Sequence, residues 1–328
     1  MILRREIFPT PPLVYLPFLL SLLPKEQKRN RLMLSSRNQP SLKKVFQDNF
    51  YIGVAINKNQ ISGTDTIAVK LLKDQFNAIT PENEMKFERI HPKKDSFYFD
   101  ISDKYVALGE QNNMHIVGHT LVWHSQLAPW MEEVKDSATM ANNIENHIKT
   151  IVGRYKGRIH AWDVVNEALN EDGSLRASLL LKIMGPQYIE HAFKLAAEAD
   201  PKAQLVYNDY NLWNHEKRAG VVKLVKQLQD HGVKIDAVGI QGHWSLNGPS
   251  IEDIENSIIA FSELGVKIMI TELDVTVLPN PWELDGAGVE QNYTRFEGDS
   301  SMNPYPDKLA DTVQTQLAKR YEAIFKLF

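Results

Sequence analysis

The chain has 328 residues, with 37 Lys and Arg against 41 Asp and Glu for a formal net charge of -4, a balance that lacks the basic excess a nucleic-acid binder needs. With 43% hydrophobic and 24% charged residues the composition is that of a globular protein rather than a disordered one. There is no cysteine, which excludes disulfides, thiolate zinc sites, iron–sulfur clusters and a cysteine nucleophile together.

Residues 1–40 stand apart. They hold seven basic and two acidic residues and six of the sixteen prolines. Arg4 and Arg5 precede an apolar run from Leu13 to Leu23, broken by Pro17 and Ser21. The run is shorter than the about 20 residues that cross a bilayer, so no stable membrane insertion is expected. It fits the apolar part of a secretory signal, about 7–15 residues behind a basic start. No A-x-A cleavage pattern follows it. The leader is therefore read as an export signal, making the protein secreted or periplasmic, or else as a disordered extension of the domain at 41–328.

From residue 50 onward, short β-rich runs recur at Tyr51–Ile56, Ala78–Pro81, His115–His124, His160–Ala168, Leu205–Tyr210, Ala237–Trp244 and Lys267–Val275. Most are continuously apolar, as strands covered on both faces are. Between them lie helical patterns. One opens at Pro186 with Ile189, Phe193 and Ala196 on one stripe. Another carries Ile251, Ile254, Ile258 and Phe261, and a last one Leu317, Tyr321, Ile324 and Phe325. Seven βα units predict an α/β fold with a parallel sheet. An open doubly wound sheet usually carries a Gly-rich phosphate loop after its first strand, and neither G-x-G-x-x-G nor G-x-x-x-x-G-K-[ST] occurs. Polar residues gather instead at the carboxyl ends of several strands, where (β/α)8 barrels assemble their sites.

The fourth strand, HAWDVVNEA, ends in Asn166 and Glu167, and the seventh, KIMITELDV, in Glu272 and Asp274. A lone Glu after a strand is more often a helix cap or a surface ion-pair partner. Two of them on facing strands suit glycoside hydrolysis, in which one carboxyl stays protonated and the other ionised. His119, His124 and His243 raise the alternative of a metal-dependent hydrolase, but H-E-x-x-H is absent, as is H-x-H on the first strand. No metal and no cofactor is expected.

PENEMKFE after the second strand, then GHTLVWHSQLAPW, WDVVNEA, YNDYN, QGHW and ITELDV in order, resemble glycoside hydrolase family 10, the retaining endo-1,4-β-xylanases. The likeness covers about residues 43–328. It implies a TIM barrel, xylan or xylo-oligosaccharides as the partner, and double displacement. It assigns Glu167 as acid/base and Glu272 as nucleophile, with the carboxyls about 5–5.5 Å apart. By the same resemblance Asn166 meets the sugar 2-hydroxyl, and His243 with Asp274 orients the nucleophile. Glu82, Asn83, Lys86, His119 and Trp123 match the glycone subsites, Trp123 as a flat apolar face. Gln241 matches another sugar contact. Asn208 and Tyr210 are expected at the mouth on the leaving-group side, His124 and Trp162 as packing, and Glu84 as surface.

Against the family pattern, the chain stops inside or just after the seventh helix. The barrel is thus expected to be truncated after its seventh βα unit, with the eighth strand and helix missing. Strands one and seven would then present unpaired edges. A fragment of a longer gene, a short chain that dimerises or recruits its leader as a cover, and a non-functional remnant all fit this ending. So two alternatives stand beside the active xylanase. One is a folded but inactive or xylan-binding fragment. The other is a retaining β-1,4-glycanase with relaxed glucose/xylose selectivity. Trp282, Tyr293 and Phe296 lie in the long loop after the seventh strand, where they either line the leaving-group side or, as favoured here, pin the loop. The sequence sets no oligomeric state.

Overall fold

The computed structural model of the chain describes residues 13–15, 40–278 and 303–328. Leader residues outside 13–15 and the loop carrying Trp282, Tyr293 and Phe296 fall outside them.

Nine strands form one sheet: β1 (Leu13–Tyr15), β2 (Tyr51–Ile56), β3 (Ala78–Pro81), β4 (His115–Gly118), β5 (Val122–Trp123), β6 (Ala161–Asn166), β7 (Gln204–Tyr210), β8 (Ala237–Ser245) and β9 (Lys267–Thr276). All neighbours pair in parallel. The order β4-β3-β2-β1-β9-β8-β7-β6-β5, together with a β4–β6 pairing, closes the ring. The single third strand expected over His115–His124 is split: β4 pairs with the lower part of β6 and β5 with its upper end. Those two pieces make one stave, so the barrel has eight.

The eighth position corrects the expected unpaired edges of the first and seventh strands. Among the described residues no strand follows β9, yet the gap between β9 and β2 is filled by the backbone of β1. Leu13, Val14 and Tyr15 stand against Tyr51, Ile52 and Gly53, and Leu13 and Val14 against Met269 and Ile270. The leader thus takes the slot of an eighth strand, first in sequence and last in the ring. It reaches only the lower half. Val54–Ile56 of β2 and Thr271–Thr276 of β9 have no described strand between them at the end where the site lies.

Two apolar layers hold the ring. Inside, Ala78, Val117, Ala161, Val206, Ala237 and Met269 each come from a different strand and pack with Tyr51. Three alanines keep that layer narrow, as a filled barrel interior requires. Outside, alternate strand residues such as Ile52, Ile79, Ile116, Leu205, Val238 and Ile270 meet the helices. The helix expected from Pro186 runs Gln187–Ala199 and buries Ile189, Phe193 and Ala196. The next stripe lies on Ile251–Ser262, which buries Ile254 and Phe261. The last helix, Asp311–Phe325, sets Phe325 against Phe46 and Phe50. Asp65, Asp136, Ser178, Asn214 and Ser250 cap helix starts through their side chains. Trp162 packs as expected, directly over Gly118, where any Cβ would come within 2.1 Å of the indole.

Candidate active site

Two irregularities aim the key side chains. In the β6–β7 pairing Asp163 stands against Val206 but Val165 against Tyr207, so β6 carries one extra residue. In the β8–β9 pairing Gln241 faces Thr271 but His243 faces Asp274, so β9 carries one extra residue next to Glu272. Such bulges bend a strand and redirect side chains beside active sites. Glu167 and Glu272 both have left-handed backbones, φ 56° and 52°. That conformation costs a residue with a Cβ roughly 1–2 kcal/mol, so the surroundings must hold it in place.

Glu167 is 4% exposed. Its Oε2 accepts from Trp123 Nε1 at 2.9 Å. Its Oε1 accepts from Asn166 Nδ2 at 3.1 Å and Gln241 Nε2 at 3.2 Å. Burial, helped by the charges of Asp209 and Glu272, raises its pKa above the usual carboxyl value.

Glu272 is the opposite case. Its side chain is 35% exposed, and His243 Nε2 lies 3.0 Å from Oε2. His243 Nδ1 in turn lies 2.6 Å from Asp274 Oδ2. Burial would raise the Glu272 pKa, but the hydrogen bond and charge of His243, with the charges of His119 and Lys86, outweigh it and bring it to about 2. Burial likewise works against charge on His243, yet its two carboxylate partners lift it to about 10. His243 is therefore a cation between two anions, although half its side chain is open to solvent.

Asn208 links Glu272 to Asn166, the neighbour that donates to Glu167. Its Nδ2 donates to Asn166 Oδ1 at 2.9 Å and to Glu272 Oε1 at 3.2 Å, while its Oδ1 accepts from Thr271 Oγ1 at 2.7 Å. Expected at the mouth, it is instead 0% exposed beneath the site. The room for it is made by Gly239 on β8, where a Cβ would come within 2.4 Å of Asn208 Oδ1. Asn208 lies below the mouth because it packs over Gly239, whereas Tyr210, on the same parity of β7, is half-buried at the strand end.

The remaining candidates line the same end of the barrel. Lys86 is buried, donates to Asn83 Oδ1 at 2.9 Å, and places its ammonium 5.1 Å from the Trp123 ring centroid. Burial lowers its pKa against the pull of Glu272, Glu82 and Glu167. His119 Nδ1 meets Asp163 Oδ2 at 2.8 Å. Trp123, foreseen as a flat sugar platform, is 6% exposed and is also a hydrogen-bond partner of Glu167. Glu82 is exposed beside Lys86. Glu84, read as surface, is half-buried and accepts from the backbone of Lys58 and Asn83. His124 lies against the Glu167 backbone, with burial and then Arg176 holding it down to about 4. Tyr210 is half-buried and accepts from Arg176 Nη2 at 2.6 Å. Arg176 and Lys217 escaped sequence reasoning because they lie outside the motifs, in the loop after β6 and the helix after β7.

A buried, protonation-prone carboxyl thus sits across a cleft from an ionised one, with hydrogen-bond donors around both. This pairing can protonate a leaving oxygen from one side and attack a carbon from the other.

The family described as Glycosyl hydrolase family 10 matches residues 41–328. Endo-1,4-beta-xylanase A of Xylanibacter ruminicola is 43% identical over 298 residues, 89% of this chain and 80% of that protein. A GH10 endoxylanase from a sugarcane soil metagenome superposes with a TM-score of 0.82 at 41% identity, covering 88% of this chain and 84% of that one. Xylanase 10B of Thermotoga petrophila, solved in complex with xylobiose, superposes with a TM-score of 0.76 at 35% identity, over 89% of this chain and 82% of its own.

Proposed function

The chain belongs to glycosyl hydrolase family 10, hydrolysing β-1,4-xylosidic linkages within xylan with retention, and from that premise we propose that Glu272 is its nucleophile and Glu167 its acid/base. The observation that carries this assignment is the opposite protonation bias of the two carboxyls.

A β-1,4-linked xylose chain lies across the strand ends, with the reacting sugar between the two Glu. Glu272, kept ionised by His243, attacks the anomeric carbon. Glu167 gives its proton to the departing glycosidic oxygen as the bond breaks, and a glycosyl ester on Glu272 results. The ester no longer carries the Glu272 charge, which is one of the charges that raise Glu167. Glu167, a stronger acid without that neighbouring charge and so left as an anion, accepts a proton from the water that attacks the anomeric carbon, and the ester bond breaks to return the Glu272 carboxylate and the protonated Glu167. Asn166 reaches the 2-hydroxyl from beside Glu167, and Lys86, Asn83 and His119 supply donors to the other hydroxyls of the sugars on the glycone side. Gln241 supports the Glu167 carboxyl and borders the same sugar.

Export belongs to this reading, because a polymer too large to enter a cell has to be cut outside it. Release of reducing ends from xylan by the full chain, beside a Glu272→Ala control, tests the assignment. Activity abolished in the control supports it, and activity retained there overturns it.

A further inference from the structure

The left-handed turn at Glu167 is gripped from both sides. Its own N–H donates to Asn208 O at 2.9 Å. Its carbonyl accepts from Arg176 Nε at 3.0 Å. The next residue, Ala168, donates its N–H to Tyr207 Oη at 3.2 Å. Arg176 does more than hold that carbonyl. Its Nη2 donates to Leu169 O at 3.1 Å and to Tyr210 Oη at 2.6 Å, so one guanidinium ties three groups around the turn.

Tyr210 is itself fixed. Lys217 Nζ lies 3.5 Å from its ring centroid and the Arg176 guanidinium carbon 5.6 Å. Lys217 is fully buried and paired with Asp209 and Glu171, each at 3.1 Å. Asp209 accepts from Tyr207 Oη at 2.6 Å, and Tyr207 is the residue that holds Ala168. The contacts close into a ring: Arg176, Tyr210, Lys217, Asp209, Tyr207 and back to the backbone flanking Glu167. A planar fork with fixed donors is the side chain suited to such a hub, and lysine cannot replace it.

We propose that Arg176, backed by Tyr210 and Lys217, is a positioning residue for the proton donor: by fixing the backbone of Glu167 it sets the reach of that carboxyl to the departing oxygen. The proposal rests on Glu167 being the acid/base. A donor displaced by about 1 Å loses about 100-fold in rate where the proton is needed, and little where it is not.

The test uses the full chain and two aryl xylobiosides, one releasing phenol, which needs protonation, and one releasing dinitrophenol, which does not. The quantity compared is kcat/KM, which reports the first displacement. Arg176→Met should lose about 100-fold on the phenyl substrate and under about threefold on the dinitrophenyl one, with Arg176→Lys in between. Equal losses on both substrates, or no loss on either, overturn the proposal. Should Arg176→Met show no cooperative unfolding, Tyr210→Phe removes one anchor of the guanidinium and carries the same substrate-selective prediction at about tenfold. Glu167→Ala runs beside them. If it too is indifferent to the leaving group, the acid/base assignment fails and takes this proposal with it. If it is selective while the Arg176 and Tyr210 variants are not, the assignment stands and the positioning role alone is rejected.

Discussion

Glu167 and Glu272 make the same left-handed backbone turn, φ 56° and 52°, on strands three places apart around one barrel, but one carboxyl is buried and the other partly open. The turn turns both side chains across the cleft. Burial favours the neutral form of the first, and the hydrogen bond and charge of His243 favour the ionised form of the second.

The pH profile of kcat/KM follows from that contrast. Glu272, brought to about 2, has to gain a proton before the acid limb falls, so that limb lies far to the acid side. Glu167, raised by burial, loses its proton on the alkaline limb, above the ordinary carboxyl value. The two limbs report apparent values of a coupled pair. The parent should show this alkaline limb on a phenyl xylobioside, whose leaving group needs the proton, whereas Glu167→Gln, assayed on a dinitrophenyl xylobioside, should show none up to the point where His243 begins to lose its charge near 10, with the acid limb in place. An unchanged alkaline limb in that variant would contradict the role given to Glu167.

Asn208 links Glu272 to Asn166, itself a partner of Glu167, and its removal tests that link. Asn208→Ala leaves the buried Thr271 hydroxyl without its acceptor and Glu272 without one donor. Stability should drop by about 1–3 kcal/mol, and the acid limb should move upward because the ionised form of Glu272 has lost a hydrogen bond. Denaturant unfolding and the pH profile read the two effects separately. An acid limb that stays put would show that the 3.2 Å contact does not act on Glu272.

Gly239→Ala approaches the same residue from below. The added methyl would stand 2.4 Å from Asn208 Oδ1, too close for any side chain, so Asn208 must shift. A shift of about 1 Å beneath both carboxyls predicts a fall in kcat of about 100-fold. Xylan hydrolysis at saturating substrate checks it, and activity within about twofold of the parent would mean that Asn208 has slack the structure does not suggest.

These positions also show what the sequence could and could not convey. The seven strands were legible because each is an apolar run with both faces covered. Glu167 and Glu272 were legible because they end such runs within specific motifs. Burial of Asn208 was not, since its neighbour Tyr210 on the same strand end is half-exposed and only the packing against Gly239 tells them apart. The extra residues in β6 and β9 leave no compositional trace, because a bulge is set by the partner strand. Arg176 and Lys217 were missed because ionic residues outside a motif read as solvated surface, whereas Lys217 is fully buried through its pairing with Asp209 and Glu171. The leader strand was foreseen only as a cover, since three apolar residues among prolines carry no strand period of their own.

Residues 13–15 give rise to two exclusive expectations. As part of an export signal they would be removed, and as β1 they close the lower half of the barrel between β2 and β9. Residues 41–328 prepared alone should unfold at lower temperature than the full chain, each kcal/mol lost costing roughly 2–4 °C for a domain near this size. Identical midpoints would show that β1 adds nothing to the fold. The intact mass of the form active on xylan then decides between the two.

A last prediction concerns stability in acid, away from the cleft. His91 and His147 form a buried pair between Phe87 and Phe97: their Nδ1 atoms are 3.2 Å apart, His147 stacks on Phe87 at 3.8 Å, and His91 stacks on Phe97 at 3.9 Å. His91 Nε2 donates to Lys94 O at 2.9 Å, which leaves its Nδ1 bare to accept from His147. Burial lowers the pKa of both, and that of His147 well below 6.5. The folded protein therefore binds fewer protons than the unfolded chain once the pH drops below about 6.5, and folding stability must fall with it, by up to about 1.4 kcal/mol per pH unit for each such group. His115, held at about 3, and His124, at about 4, add to the same slope, so the wild-type curve alone does not isolate the pair. His147→Gln does, because an amide can still donate to His91 but cannot take up a proton. Unfolding free energies measured from pH 7 to 5 should show the variant losing less stability per pH unit than the parent, by up to about 1.4 kcal/mol toward the acid end of that range. Parallel curves would mean that the pair exchanges its proton with solvent at no cost, which its complete burial argues against.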